Sequence, residues 1–197
     1  MTEYDAKVFL SRYGVPVTRE RLCLNLEEAC DAAEELGFPV ALKGMAASVL
    51  HKTEAGIVAL DVRSFEELRG ALKTVRQHLA DYVGNGAVQG FLVSEMVRGG
   101  FECIVGVKRD PVFGPMIAVG LGGIYVEVLG DVSLRHGPVD EEEALNMIRQ
   151  LKGYSFLSGT RGRKPRDIRA LASIVSRVSR LAAIETNLVN QDRKSVV

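Results

Sequence analysis

The chain changes texture at the Gly84-Asn85-Gly86 turn, and that change constrains the fold more than any single motif. Upstream, helical and extended segments alternate. Thr2 to Tyr13 reads as a short helix, with Thr2 as its cap, Asp5 at the third position and Gly14 placed for a left-handed C-terminal residue. Gly14-Val15-Pro16-Val17 then starts an extended stretch. Leu26, Ala29, Cys30, Ala33 and Leu36 recur at helical spacing and are closed by Gly37. Pro39 to Lys43 and Gly56 to Leu60 read as short strands of a half-buried sheet, and Ser64 with Glu67 opens a third helix along Phe65, Leu68, Leu72, Val75 and Leu79. Downstream, Val88–Val97, Glu102–Val107 and Pro115–Val119 are extended runs separated by Gly-rich or Asp-Pro turns, which predicts an antiparallel sheet. Two helices follow, one near Asp140 and one from Pro165 through Leu181. The expectation is an α+β protein of two lobes meeting near Ser94–Val97, the first over residues 1–94 and the second over 95–197.

At 197 residues such lobes can bury cores without disulfides or a structural metal. Lys plus Arg and Asp plus Glu each number 25, so no net field favours nucleic acid or an anionic membrane, and any phosphate recognition is local. Three cysteines, Cys23, Cys30 and Cys103, without Cys-x-x-Cys spacing argue against a disulfide framework or zinc site, and Cys30 falls on the apolar side of its helix. No apolar run approaches the roughly 20 residues of a membrane span, and the N-terminus does not read as a signal peptide, so a cytoplasmic protein is expected.

Several residues invite a chemical reading, each beside a plainer one. Gly120-Leu121-Gly122-Gly123 follows an apolar strand, where such a loop brings backbone amides close to phosphate oxygens; a hairpin turn needing positive φ accounts for it equally. Lys43 ends an apolar strand and either emerges into solvent or aims into a site. His51, between Leu50 and Lys52-Thr53-Glu54, suits a nucleophile, a base or a surface residue. Three histidines with no metal spacing set histidine ligation aside. Glu95, Glu102, Glu127 and Asp131 lie in or beside apolar strands, as magnesium ligands near phosphates or as the polar face of a sheet. Arg135, with Asp131 nearby, is open to reading as a plain ion pair.

Taken together, four strings resemble the ATP-grasp (beta) part of ADP-forming acetyl-CoA and acyl-CoA synthetases, relatives of succinyl-CoA synthetase. These are Tyr13-Gly14-Val15-Pro16-Val17, Leu50-His51-Lys52-Thr53-Glu54-Ala55-Gly56, Arg109 to Pro115, and Gly120 to Leu129. The resemblance runs from about Tyr4 to Leu181. It implies an ATP-grasp fold, two α/β lobes with the nucleotide bound between them. It also implies that Lys43 contacts nucleotide phosphates, that Glu95-Met96-Val97 meets the adenine, and that Glu102 contacts the nucleotide. Gly122 and Gly123 would lie against the phosphates with Arg135 neutralising developing charge, and Glu127 and Asn187 would bind magnesium. His51 would carry a phosphoryl group between a partner's phosphohistidine site and ATP or ADP. The implied reaction joins acyl-CoA, ADP and phosphate to give acid, CoA and ATP. It requires an alpha subunit, or fused CoA-binding and ligase domains, to handle the CoA thioester, and so a hetero- or homo-oligomer.

The sequence departs from the family's pattern at its end. Where that pattern has acidic-x-Asn-Pro-Leu and a later carboxylate, this chain has Glu185-Thr186-Asn187-Leu188 and then a polar stretch to Val197, so a truncated or altered end is expected. Two rivals follow: a catalytically degenerate ATP-grasp module with a regulatory or assembly role in a larger acetyltransferase-like protein, and a generic carboxylate-amine ligase, which leaves His51 unexplained.

Overall fold

Each cap legible in the sequence starts a helix. Thr2 Oγ1 accepts the Asp5 amide at 3.1 Å and the Asp5 carboxylate accepts the Thr2 amide at 2.9 Å, the reciprocal box that opens α1 (Glu3–Arg12). Asn25 caps α2 (Leu26–Leu36), which ends at Gly37 with φ 82°. Ser64 Oγ accepts the Glu67 amide at 3.1 Å at the head of α3 (Phe65–Val83). The computed structural model describes residues 2–46, 56–83, 88–123, 128, 130–159 and 164–186. It divides into two units, one of Met1–Phe9 and Val17–Arg98, the other of Leu10–Pro16 and Gly99–Val197.

In the first unit, β1 (Glu20–Cys23), β2 (Val40–Met45), β3 (Val58–Val62) and β4 (Gly90–Glu95) form an antiparallel sheet in the order β1-β4-β2-β3. The grouping of Val88–Val97 with the later strands is thereby corrected. Gly90 to Ser94 are all buried, so β4 needs a neighbour on each side, and it finds them in β1 and β2. Lys43 is likewise not a strand-end residue, since β2 continues through Gly44 and Met45. One face of the sheet, with Val40, Leu42, Phe91 and Val93, packs against Leu68, Leu72, Val75 and Leu79 of α3 and the alanines of α2. Each of these Val, Leu and Phe side chains contributes about 1.5–3 kcal/mol by leaving water. Gly44 lets α3 come this close: a Cβ there would meet Leu79 at 3.1 Å and Val75 at 3.2 Å.

Glu95 and Arg19 close the β1–β4 ladder. The Arg19 amide donates to Glu95 Oε1 at 2.8 Å and Arg19 Nε to Oε2 at 2.9 Å, while the Glu95 amide donates to the Arg19 carbonyl at 3.0 Å. The Arg19 amide first, then its guanidinium, hold the Glu95 carboxyl below its ordinary value of 4.5.

In the second unit, β5 (Cys103–Asp110), β6 (Gly114–Leu121) and β7 (Val132–His136) form an antiparallel sheet in chain order. Among the described residues its helices include α4 (Glu141–Arg149), a short α5 (Tyr154–Ser158) and α6 (Ile168–Ile184). Its core gathers Val105, Ile117, Val119 and Leu121 with Met147, Ile148, Leu171 and Val175. The last helix begins at Ile168, not Pro165, because the Asp167 carboxylate accepts the Ala170 amide at 2.9 Å. Its C-terminal end is met by Arg109, whose guanidinium donates to the Ala182 carbonyl at 2.6 Å, and by a short hydrogen bond from Tyr13 to Glu185. The Asp-Pro turn after Arg109 is an Asx-turn: Asp110 Oδ1 accepts the Val112 and Phe113 amides at 2.8 and 2.9 Å. Asp131 is buried, and its two oxygens accept the Lys152 and Gly153 amides, each at 2.8 Å, just before α5.

Replacing Asp131 by Ala strands the buried Gly153 amide and the part-buried Lys152 amide and lowers stability by about 3 kcal/mol in urea titrations, with Asn recovering part of the loss because it keeps one acceptor. For Glu95, the folded carboxyl ionises below 4.5, so its contribution is complete above that pH and is lost as pH falls through the lowered folded value. The urea midpoint of wild type should therefore fall toward that of Glu95→Gln on acidification from about pH 6, and the gap should be widest at the top of that range.

Candidate functional site

Residues directly opposite in antiparallel strands share a face, so the registers sort the first sheet's charged groups. Glu20 pairs with Ser94, Ser94 with Ala41, and Leu92 with both Leu22 and Lys43. Glu20, Leu22, Leu92, Ser94, Ala41, Lys43 and Met45 therefore line the face opposite α2 and α3. Onto this face α1 brings Glu3 and Lys7, one helical turn apart. Glu3 Oε1 accepts Lys43 Nζ at 2.7 Å and lies 3.2 Å from Lys7 Nζ. Lys7 Nζ in turn donates to Glu20 Oε2 at 2.6 Å and to Thr18 Oγ1 at 3.1 Å. The Glu20 side chain is 6% exposed, whereas those of Lys7 and Lys43 are each 23% and that of Glu3 28%, so the quartet holds one nearly sealed carboxylate among three partly accessible groups. Glu3, Lys7 and Glu20 escaped the sequence reading. Their signal was an i,i+4 Glu/Lys pair on a capped helix and a charge inside a strand, which is too common to stand out.

The segment leaving β4 carries Met96, half-buried, and Val97, 55% exposed. Beside them Glu95 is committed to Arg19.

In the second unit the glycine loop has a steric reason as well as a conformational one. The Gly122 amide donates to the Glu102 carbonyl at 2.6 Å, and a Cβ on Gly122 would lie 2.6 Å from Glu102 Cγ and 2.9 Å from its carbonyl carbon. Gly123 has φ 61°, and a Cβ there would come within 2.9 Å of Glu102 Oε2. The structure thus brings Glu102, Gly122 and Gly123 together, with the Glu102 residue exposed. Arg135 lies on β7 with its guanidinium held by α4: Nε donates to Glu143 Oε1 at 2.5 Å and another nitrogen to Gln150 Oε1 at 2.6 Å. The pairing of Arg135 with Asp131 is corrected accordingly, since Asp131 is spent on the two amides before α5.

His51, Glu127 and Asn187 lie outside the described residues. Among the described residues, no group of three or more His, Cys, Asp or Glu is placed to hold a metal ion, and no helix is long and apolar enough to cross a membrane. The cysteines are free, and burial pushes the Cys23 and Cys103 thiols up to about 11, which removes them as nucleophiles near neutral pH.

The ATP-grasp domain family matches residues 1–190. The β subunit of acetate–CoA ligase [ADP-forming] II from Pyrococcus furiosus is 42% identical over 181 residues, which is 92% of this chain and 77% of that one. Among solved structures, acetyl-coenzyme A synthetase 1 of Ca. Korarchaeum cryptofilum in complex with coenzyme A, Ca-AMPCP and HgCl+ superposes with a TM-score of 0.89 at 41% identity, covering 93% of this chain and 80% of that one. The same synthetase in complex with coenzyme A and Mg-AMPPCP, its phosphohistidine segment pointing towards the nucleotide binding site, gives a TM-score of 0.79 at 40% identity over 92% of this chain and 78% of that one. With its two antiparallel sheets, its glycine loop closed on Glu102 and this likeness along most of its length, the chain belongs to the ATP-grasp family of ADP-forming acetate–CoA ligase β subunits.

Proposed function

We propose that this chain is the nucleotide-handling β part of an ADP-forming acyl-CoA ligase, working with an alpha subunit or fused CoA-binding and ligase domains. The observation that carries this is the 42% identity with a named β subunit across 77% of that subunit's length. That relation favours a working ligase over a degenerate regulatory module.

In this reading the overall reaction is acyl-CoA + ADP + phosphate ⇌ acid + CoA + ATP, and the partner portion exchanges the acyl group. On this chain, His51 takes the phosphoryl group from the partner's phosphohistidine: one N–P bond breaks as another forms on the His51 imidazole. An ADP β-phosphate oxygen then attacks that phosphorus, giving ATP and the free imidazole. Neutral imidazole is nucleophilic near neutral pH, which suits a carrier that must both accept and release the group. The neighbour whose phosphohistidine segment points towards its nucleotide site supports such a hand-over.

Lys43 binds the nucleotide phosphates through its accessible ammonium. Gly122 and Gly123 offer a loop without side chains against Glu102, and a phosphate can approach such a backbone. Met96 and the exposed Val97 give an apolar edge for the adenine, beside Glu95. Arg135, braced by Glu143 and Gln150, is a fixed positive charge for the phosphoryl group in flight. Glu127 and Asn187 would hold magnesium, which would neutralise phosphate charge when bound.

Calorimetric titration of ATP and ADP with Mg²⁺ tests the binding half. Lys43→Met should weaken ATP about tenfold or more, the cost of losing one charge-assisted contact. Unchanged affinity would remove Lys43 from the site.

A further inference from the structure

The Lys43 ammonium is already occupied. Glu3 Oε1 sits 2.7 Å away, closer than it sits to Lys7 at 3.2 Å, so one carboxylate oxygen is shared between two ammonium groups. The two lysines differ in what else holds them. Lys7 has Glu20 at 2.6 Å and Thr18 at 3.1 Å, and Glu20 is nearly sealed from water, so this end of the quartet is fixed. Lys7 and Lys43 are each 23% exposed and Glu3 28%, so the two ends differ in the partners that hold them and not in access to water. Glu3 stands in the first turn of α1, where the helix dipole favours its charge, and it can move from Lys43 to Lys7 without becoming a bare anion.

Resting on the reading of Lys43 as a phosphate ligand, we propose that Glu3 is the counter-ion of Lys43 that nucleotide phosphates displace, making it a positioning residue that sets how strongly polyphosphate binds. A polyphosphate arriving at Lys43 meets a carboxylate held on the same ammonium, and like charges this close repel. Binding therefore includes the release of Glu3 towards Lys7. The charge arithmetic gives the sign. Two lysines and two glutamates make a neutral quartet, and removing the Glu3 charge leaves it with a net positive charge of one facing the phosphates. The effect must grow with the number of phosphates and vanish for a nucleoside.

The test is calorimetry on the full chain with Mg²⁺, using ATP, ADP and adenosine against wild type, Glu3→Gln, Lys43→Met and the double variant. Expected for Glu3→Gln is ATP binding about fivefold tighter, the scale of one partly exposed ion pair, with a smaller gain for ADP and none for adenosine. The gain should disappear in the Lys43→Met background. Glu3→Asp keeps the charge but draws it back by one methylene, and should shift ATP affinity in the same direction by less, which keeps the test available if the Gln variant folds poorly. If Lys43→Met weakens ATP binding while Glu3→Gln leaves it unchanged or weaker, Glu3 is a scaffold and the proposal fails alone. A gain equal for adenosine and ATP also overturns it, because charge is then not the cause. If Lys43→Met leaves ATP binding intact, the reading of Lys43 fails and takes the proposal with it.

Discussion

A carboxylate that is 6% exposed on the face of a sheet has to be matched by a cation, and Lys7 supplies it to Glu20 at 2.6 Å. Removing Lys7 leaves the buried Glu20 charge uncompensated, a loss of several kcal/mol, whereas Lys7 without Glu20 keeps Glu3 at 3.2 Å. One Glu20 oxygen is buried without a hydrogen-bond partner among the described residues, so the site already carries a polar cost that the lysine offsets. The consequence is mechanical as much as energetic. Lys7 can reach Glu20 only if the first turns of α1 lie across the open face of the sheet, and that placement delivers Glu3 to Lys43. The capping box at Thr2 and Asp5 fixes where the helix starts and so where Glu3 points. The accessible ammonium proposed to meet phosphate is thus set by an ion pair two strands away.

The second unit uses steric exclusion where the first uses charge. A Cβ on Gly122 would run into the Glu102 backbone, and Gly123 holds a φ of 61°, so the loop is bare backbone for reasons visible in the fold alone. The phosphate contact proposed for this loop asks for the same bareness, so the structural requirement and the proposed binding requirement fall on one pair of residues. Arg135 follows a related logic: Glu143 and Gln150 hold its guanidinium in one direction, which removes freedom that a binding step would otherwise have to take away.

Much of this was legible in the sequence because it depends on neighbours in the chain. The caps at Thr2 and Ser64, the C-terminal glycine after Leu36 and the apolar stripe of α3 are local and were readable. What was not legible depends on which strand lies beside which. Val88–Val97 reads as one more extended run, and only pairing with β1 and β2 puts it in the first sheet. β1 is four residues with charges at its start, and β7 alternates exposed and buried positions without a strong apolar run, so neither announces itself. The candidate site divides the same way. Lys43, Glu95, Glu102 and the glycines could be named from motif strings. The partners Glu3, Lys7, Glu20, Arg19 and Glu143 could not, because they come from distant positions and are joined by register.

The proposed reaction passes a phosphoryl group through His51. The direct measurement is incubation of the full chain with its partner portion, γ-labelled ATP and Mg²⁺, followed by tests of the labelled protein for acid and base stability. Passage through His51 puts label on the chain that is lost in acid, survives base and is absent from His51→Ala. Label that persists in His51→Ala, or ATP synthesis from acyl-CoA, ADP and phosphate undiminished in that variant, would contradict it.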